Sequence, residues 1–322
     1  MRRSLSTLGA AAVASAALLA GCGAAATPLH ASPRALLVAA YQHVAATSFQ
    51  ADVSVQLHAD LSHLTPGGGL TAAQISQFQA EIKSAQLSAT LEYQGPKQLE
   101  MSFTLTPVLK GTWHVLVLGG SEYIEGPDGQ WHLLPSAGAA GASGVSGLGS
   151  SAGGLKQELR AWAKSLRQRA TVTNLGSTSV DGQSVTHLRD TLSGNVIGSA
   201  LDNLWGTLAS HLGSQGSKLQ QALPVLQQLF QFGQETDDEY LSQSSGRLVR
   251  ADSTIPVAIN LTPLAALLPA GTSMPSGSAS FTFSISADMS NYGKNFDLVK
   301  PASVAPGLPS GLGQLGSGTG PT

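Results

Sequence analysis

Phe49-Gln50-Ala51-Asp52-Val53-Ser54-Val55-Gln56-Leu57-His58 puts Val53, Val55 and Leu57 on one side of an extended chain and Asp52, Ser54, Gln56 and His58 on the other. Successive side chains of a strand point to opposite faces, so the stretch predicts a half-buried strand with one apolar and one solvated side. Just upstream the period changes. Ser32-Pro33 offers an N-cap followed by proline at the first helical position, and Leu36, Leu37, Ala40, Tyr41 and Val44 recur at helical spacing. That pattern predicts a helix over about 33–47 leading into the strand.

Downstream the same two periods alternate. After the Pro66-Gly67-Gly68-Gly69 break, Ile75, Phe78 and Ile82 suggest a short helix, and period-two spacing returns with Leu87, Ala89, Leu91 and Tyr93 up to the Gly95-Pro96 turn. The next strand sets Met101, Phe103 and Leu105 against Ser102, Thr104 and Thr106, whereas Trp113 to Leu118, including Val115 and Val117, is apolar on both faces and reads as central. Tyr123 to Glu125, the turn at 126–129 and Trp131 to Leu134 predict a hairpin. Residues 136–154 are almost wholly Gly, Ser and Ala and read as a flexible loop.

A basic amphipathic helix is expected next, with Leu155, Leu159, Trp162 and Leu166 at helical spacing and Lys156, Arg160, Lys164, Arg167 and Arg169 crowding the same segment. Two readings stay open for those five cations: a solvated face, or contact with anionic headgroups. Strands are predicted at Thr171 to Leu175 and Ser184 to Leu192, joined through Asp181-Gly182. A helical insertion over 195–234 follows, carried by Leu201, Leu204, Trp205, Leu208 and Leu212 and then by Leu219, Leu223, Leu226 and Phe230, with a kink expected at Pro224. Glu239 to Gln243, Arg247 to Ile259 and Ser278 to Met289 complete the strands, the last with Phe281, Phe283 and Ile285 on one face; residues from 303 onward read as a disordered tail.

Composition narrows the function classes. Of 322 residues 37 are Gly and 16 are Pro, and only 11% are charged against a usual quarter, which excludes a highly charged disordered chain and a coiled coil. A formal net charge of −2 provides no basic field that would draw the chain to nucleic acid. With 42% hydrophobic residues and a mean hydropathy of +0.09, the chain has enough apolar material for a sizeable core.

The N-terminus reads as a processing signal. Arg2 and Arg3 precede an uncharged run from Leu8 to Leu19, too short for a comfortable permanent span, which ends in Leu19-Ala20-Gly21-Cys22. This resembles a bacterial lipobox, in which small residues admit the peptidase and the cysteine thiol takes a diacylglycerol. Cys22 is the single cysteine of the chain, which rules out a disulfide framework and a thiolate metal cluster. Removing residues 1–21 leaves a short tether over 22–32, a body over 33–302, and 15 basic against 19 acidic groups. Two or more acyl chains suffice for stable anchoring, so the expected location is the extracytoplasmic face of a cell membrane.

No catalytic constellation emerges. The eight His are dispersed without metal-ligand spacing, and the Gly-rich stretch contains neither a nucleophile elbow nor a phosphate-loop lysine. Asp237-Asp238-Glu239, the one acidic cluster, reads as a solvated strand entry rather than a calcium loop. No cofactor and no metal are expected, and the chain reads as a non-enzyme.

The helix-to-strand junction Val44-Ala45-Ala46-Thr47-Ser48-Phe49 behind a lipobox resembles the LolA-like carriers and LppX/LprG-type lipoproteins. So do Thr173-Asn174-Leu175 with Asp181-Gly182-Gln183, then Gly246-Arg247-Leu248-Val249-Arg250, and the closing Asn291-Tyr292-Gly293-Lys294-Asn295-Phe296-Asp297-Leu298-Val299-Lys300-Pro301. The resemblance covers most of 33–301, and departs from the family in the 195–234 insertion and the 136–154 loop. It implies a strongly curved antiparallel sheet, a half-open barrel with lid helices enclosing an apolar cavity for acyl chains. The residues themselves give an α+β fold with helices over one side of a sheet, in which a cavity and a packed core leave the same pattern. Val53, Val55, Leu57, Leu87, Leu91, Met101, Phe103, Leu105, Val115, Val117, Phe281, Phe283 and Ile285 are the candidate lining or, equally, plain core. The expected function is binding, with transport as its extension, of a lipid or acylated hydrophobic ligand by a membrane-anchored lipoprotein. The rival is an envelope sensor of the RseB type working through a protein partner.

Overall fold

A computed structural model describes residues 31–107, 109, 111–134, 166, 168–211, 224–225, 227–267, 274–307 and 309. Its body is one antiparallel sheet. The strands are β1 (Phe49–Asp60), β2 (Leu64–Thr65), β3 (Gln86–Gly95), β4 (Gln98–Thr106), β5 (Trp113–Leu118), β6 (Ser121–Glu125) and β7 (Trp131–Leu133) in the first half. The second half adds β8 (Thr171–Val180), β9 (Gln183–Leu192), β10 (Phe230–Phe232), β11 (Glu235–Ser242), β12 (Leu248–Asn260) and β13 (Ser276–Ser290). They run in the order β7-β6-β5-β4-β3-β1-β13-β12-β11-β9-β8, with β10 beside β12 and β2 beside β13. The two ends of that order do not pair with each other, so the sheet is open.

β1 is the keystone because β13 and β3 flank it, joining a meander of early strands to a meander of late ones. Registers keep like faces together: Leu105, Leu87, Val55 and Ile285 stand in one row across four strands, and Phe103, Ala89, Val53 and Ala287 in the next. A slip of one residue at any pairing would send an apolar set to the solvated side, so this alternation fixes the register.

Three helices have local causes. α1 (Pro33–Ala46) starts at Ser32, whose Oγ accepts from the Ala35 amide at 3.3 Å, with proline at the first helical position. α2 (Ala72–Ser84) opens on a reciprocal capping box: Thr71 Oγ1 accepts from the Gln74 amide at 3.2 Å and Gln74 Oε1 accepts from the Thr71 amide at 2.8 Å. α3 (Gly194–His211) can begin where it does because its first residue lacks a side chain; a Cβ there would overlap the Phe232 carbonyl oxygen. None of the helices in the described residues is long and apolar enough to cross a membrane.

Several expectations need correction. Phe230 was expected on a helix, but it opens β10, where pairing with Ile259 overrides helical spacing. β8 extends to Val180 rather than Leu175, since Asp181 and Gly182 both adopt positive φ and make the tight turn its hairpin requires. The segment read as a tail from 303 instead starts along the sheet edge: the Ala305 amide donates to the Trp131 carbonyl at 2.7 Å, and His132 Nδ1 lies 3.1 Å from the Gly307 carbonyl. Trp113 to Leu118 lies third from that edge, and only Trp113 and Leu116 are buried in it.

Candidate functional site

All thirteen candidate residues fall on one face of the sheet. Starting from Val53, Val55 and Leu57, the register carries that face through Leu87 and Leu91 on β3, Met101, Phe103 and Leu105 on β4, and Val115 and Val117 on β5. In the other direction it runs through Phe281, Phe283 and Ile285 to Val257, Ile255 and Ser253 on β12. Leu87 and Leu91 are buried, and the other eleven are only half-buried.

Helices cover this face at two separate places. Over the end nearest the α1–β1 junction, Leu37, Ala40 and Val44 pack with Phe49, Ala51, Leu91, Tyr93, Leu188, Leu241 and Leu248 in the main core. At the opposite end of β1, Ile75 of α2 packs with Leu61 and Ala279. Bordering the main core, against which Val53 and Ala251 pack, is the row Phe103, Ala89, Val53, Ala287 and Ala251, in which three of five side chains are single methyl groups. Methyl groups fill little of the space above a sheet, so this row is the shallowest part of the face's apolar lining.

The α1 end is tied down by polar contacts. Arg247 Nε donates to His43 Nε2 at 3.2 Å and its guanidinium lies 5.3 Å from the centre of the Tyr292 ring. The Tyr292 hydroxyl donates to the Leu248 carbonyl at 2.7 Å; burial pushes that phenol's pKa well up, against the opposing pull of Arg247. At the start of the helix, the Arg34 guanidinium donates to the carbonyls of Ala170 and Gln168.

Asp237-Asp238-Glu239 is not the solvated strand entry that its sequence suggests. β11 pairs with β9 so that Asp190 stands opposite Asp237, and Glu239 is only 2% exposed. Carboxylate oxygens of Asp190, Asp237 and Glu239 lie within 4.8 Å of one another, an oxygen set that suits a hard cation, and all three also have further polar partners. Asp238 points to the other face. There it accepts from Arg189 Nε at 2.8 Å and Arg189 Nη2 at 2.9 Å and lies 2.6 Å from His187 Nε2, whose ring stacks on Tyr240. Burial works to raise the Asp238 carboxyl, but the Arg189 and His187 hydrogen bonds more than reverse this and hold it below the usual range.

That other face carries no described helix and is polar along β4, β3, β1 and β13, with Leu116 and Tyr123 buried toward one edge and Pro256 and Ala258 on β12. Sequence reading did not identify it as a site, because each Ser, Thr or Asp merely looked like the wet side of its own strand. Cys22 and residues 1–30, the 136–154 loop, and Lys156, Arg160, Lys164 and Arg167 lie outside the described residues; Arg169 lies within them, just before β8.

No protein-family model matches the chain, and a search of curated proteins found no relative. Solved structures do match at low identity. The Mycobacterium tuberculosis lipoprotein LppX is 15% identical over 83% of this chain and 98% of its own, with a TM-score of 0.38. LprF from Mycobacterium bovis is 13% identical over 80% and 90%, with a TM-score of 0.35. A LolA superfamily protein from Nitrosomonas europaea is 11% identical over 79% and 91%, at 0.22.

Proposed function

We propose that the chain is a lipoprotein anchored through Cys22 on the extracytoplasmic side of a cell membrane, and that it binds a lipid or lipid-like hydrophobic ligand as a carrier in the envelope. The observation that carries this reading is the continuous apolar face. Eleven of its thirteen candidate residues stay half-buried along a face that α1 and α2 cover at its two ends, Val53 and Met101 packing against one core and Phe281 against the other, across a row lined largely by methyl groups. An acyl chain laid there would remove roughly 25 cal/mol of unfavourable hydration per Å² of apolar surface covered. No covalent chemistry is required of the protein.

Anchor and basic segment support one another. Arg34, at the start of α1, donates to the carbonyls of Gln168 and Ala170, so α1 begins beside Arg169, the last cation of the basic stretch Lys156, Arg160, Lys164, Arg167 and Arg169 in the sequence. In a chain held by a lipid anchor, five such cations would suit anionic headgroups, at about 1 kcal/mol per basic residue close to the surface.

The test is mass spectrometry of lipids extracted from the chain carrying Cys22→Ala, purified gently from the soluble fraction. The expected result is a stoichiometric acyl lipid, together with loss of fatty-acid label and of membrane association relative to wild type. A protein free of lipid would overturn the carrier reading and favour a sensor role; undiminished label would overturn the anchor.

A further inference from the structure

On the side of the sheet away from α1 and α2, four adjacent strands and Thr112 line an open trough of about 410 Å³. That volume lies toward the lower end of the range for small-molecule sites. Its polar lining comes from Asp288 on β13, Asp52 and Ser54 on β1, Ser88 and Thr90 on β3, Ser102 and Thr104 on β4 and Thr112 at the approach to β5, and Val53, Ala89 and Phe103 complete it.

Its polar groups are carboxylates and hydroxyls. Thr90 Oγ1 donates to Asp52 Oδ1 at 2.7 Å, and Arg250 Nε lies 3.6 Å from Asp288 Oδ1. The hydroxyls of Ser54, Ser88, Ser102, Thr104 and Thr112 make no side-chain hydrogen bond among the described residues. Five uncommitted hydroxyls, each both donor and acceptor, therefore converge on two carboxylates that only accept. Asp52 and Asp288 also stand directly opposite each other in the register, a like-charge pair that weakens strand pairing, although each has an opposite partner on its far side, Thr90 and Arg250.

The lining selects among ligands. Two carboxylates with one flanking arginine disfavour a phosphate or other anion. A lining of hydroxyls is wrong for an acyl chain, which would leave them without water or partner. A divalent ion needs more oxygens than two opposed carboxylates provide, and the next one, Asp252, is already held by Arg250 at 3.2 Å and by Ser286 at 2.6 Å. What remains is a neutral ligand rich in vicinal hydroxyls. Its O–H groups can donate to the carboxylates in charge-assisted hydrogen bonds and exchange bonds with the Ser and Thr hydroxyls, while threonine methyls meet its C–H surface.

We propose that this trough is a second binding site, for a neutral polyol, either the sugar units of a glycan or a free sugar, with Asp52 and Asp288 as its principal acceptors. Occupancy of the apolar face does not enter the proposal.

Backbone-amide NMR of the chain carrying Cys22→Ala tests it, with glucose and myo-inositol as free-polyol probes, maltohexaose and cellohexaose as glycan probes, and ethanolamine and calcium chloride as cationic controls. At least one neutral probe should give saturable shifts confined to the neighbourhood of Ser54, Ser88 and Ser102. Tighter binding of a hexaose than of glucose identifies a glycan site, and equal binding a free-sugar site. Asp52→Asn should weaken that probe by about tenfold or more, since it replaces a charged acceptor by a neutral one. Ser88→Ala/Ser102→Ala should weaken it as well, with the thermal transition and the co-purifying lipid unchanged. The proposal is overturned if no neutral probe saturates, if both variants bind as wild type does, or if only ethanolamine or calcium produces the shifts.

Discussion

Tyr292 joins three parts of the chain through one side chain. Its hydroxyl satisfies the carbonyl of Leu248, which is wholly buried, and its ring lies 6.2 Å from Phe49 and beneath Arg247, which in turn reaches His43 on α1. Tyr292→Phe keeps the ring and orphans the carbonyl, so it should cost about 1 kcal/mol of unfolding free energy. A urea titration checks this, and an unchanged midpoint would show that water replaces the phenol. Asp288 makes the opposite case. Burial raises its carboxyl pKa, Arg250 opposes that, and Asp181, Asp252 and Asp52 add to it. An acid whose folded pKa is raised contributes stability below its unfolded pKa and loses that contribution as pH rises through the folded value. Asp288→Asn should therefore raise Tm at pH 7, with the gain shrinking toward zero once the medium is acidic enough to protonate the unfolded carboxyl, near pH 4. Paired melts decide it, and a lower Tm at pH 7 would count against the sign. Residues of this kind escape sequence reading: nothing near Asp237 reveals that Asp190 stands opposite it, and nothing in Asp52 names its partner.

At the scale of elements, local rules were readable wherever the cause was local. Ser32-Pro33 starts α1, and alternation marks β1, β3, β4 and β13, because cap chemistry and period-two burial depend on neighbouring residues alone. α2 is the clearest test, since it buries only Ile75 and Ile82 and leaves Phe78 44% exposed, and so depends on its ends more than α1 does. Thr71→Ala removes one half of the capping box and frees Gln74 from the other, at a cost of about 1 kcal/mol. Native-state hydrogen exchange should show faster exchange through the first turn of α2, with the α1 core unaffected; uniform protection would mean that packing alone holds the helix. Misread elements had non-local causes. Thr171 to Val180 is exposed along almost its whole length, so no apolar alternation advertises the second half of β8. Phe230 keeps helical spacing in sequence but lies beside Ile259, and pairing wins.

For the molecule as a whole, the decisive contact is β1 with β13, between opposite ends of the body, which no periodicity encodes. That contact turns two meanders into one sheet and merges short apolar runs into a single face, with the polar trough behind it. The apolar side was legible as a set of residues but not as a surface; the polar side was not legible at all, because its meaning lies in which strands become neighbours. The face gives the last prediction. Phe103 and Phe283 are both half-buried, on strands separated by β3 and β1, so each tests a different part of the same surface. In a close-packed core, Phe103→Asp or Phe283→Asp would bury an unpaired charge and unfold the domain. On a face that takes a removable ligand, water can reach the new carboxylate once the ligand is gone, so the fold survives and the ligand is lost. At least one of the two variants should keep a cooperative thermal transition while no longer co-purifying with lipid. If both lose the transition and the wild type yields no lipid, the apolar face is ordinary core and the carrier role fails with it.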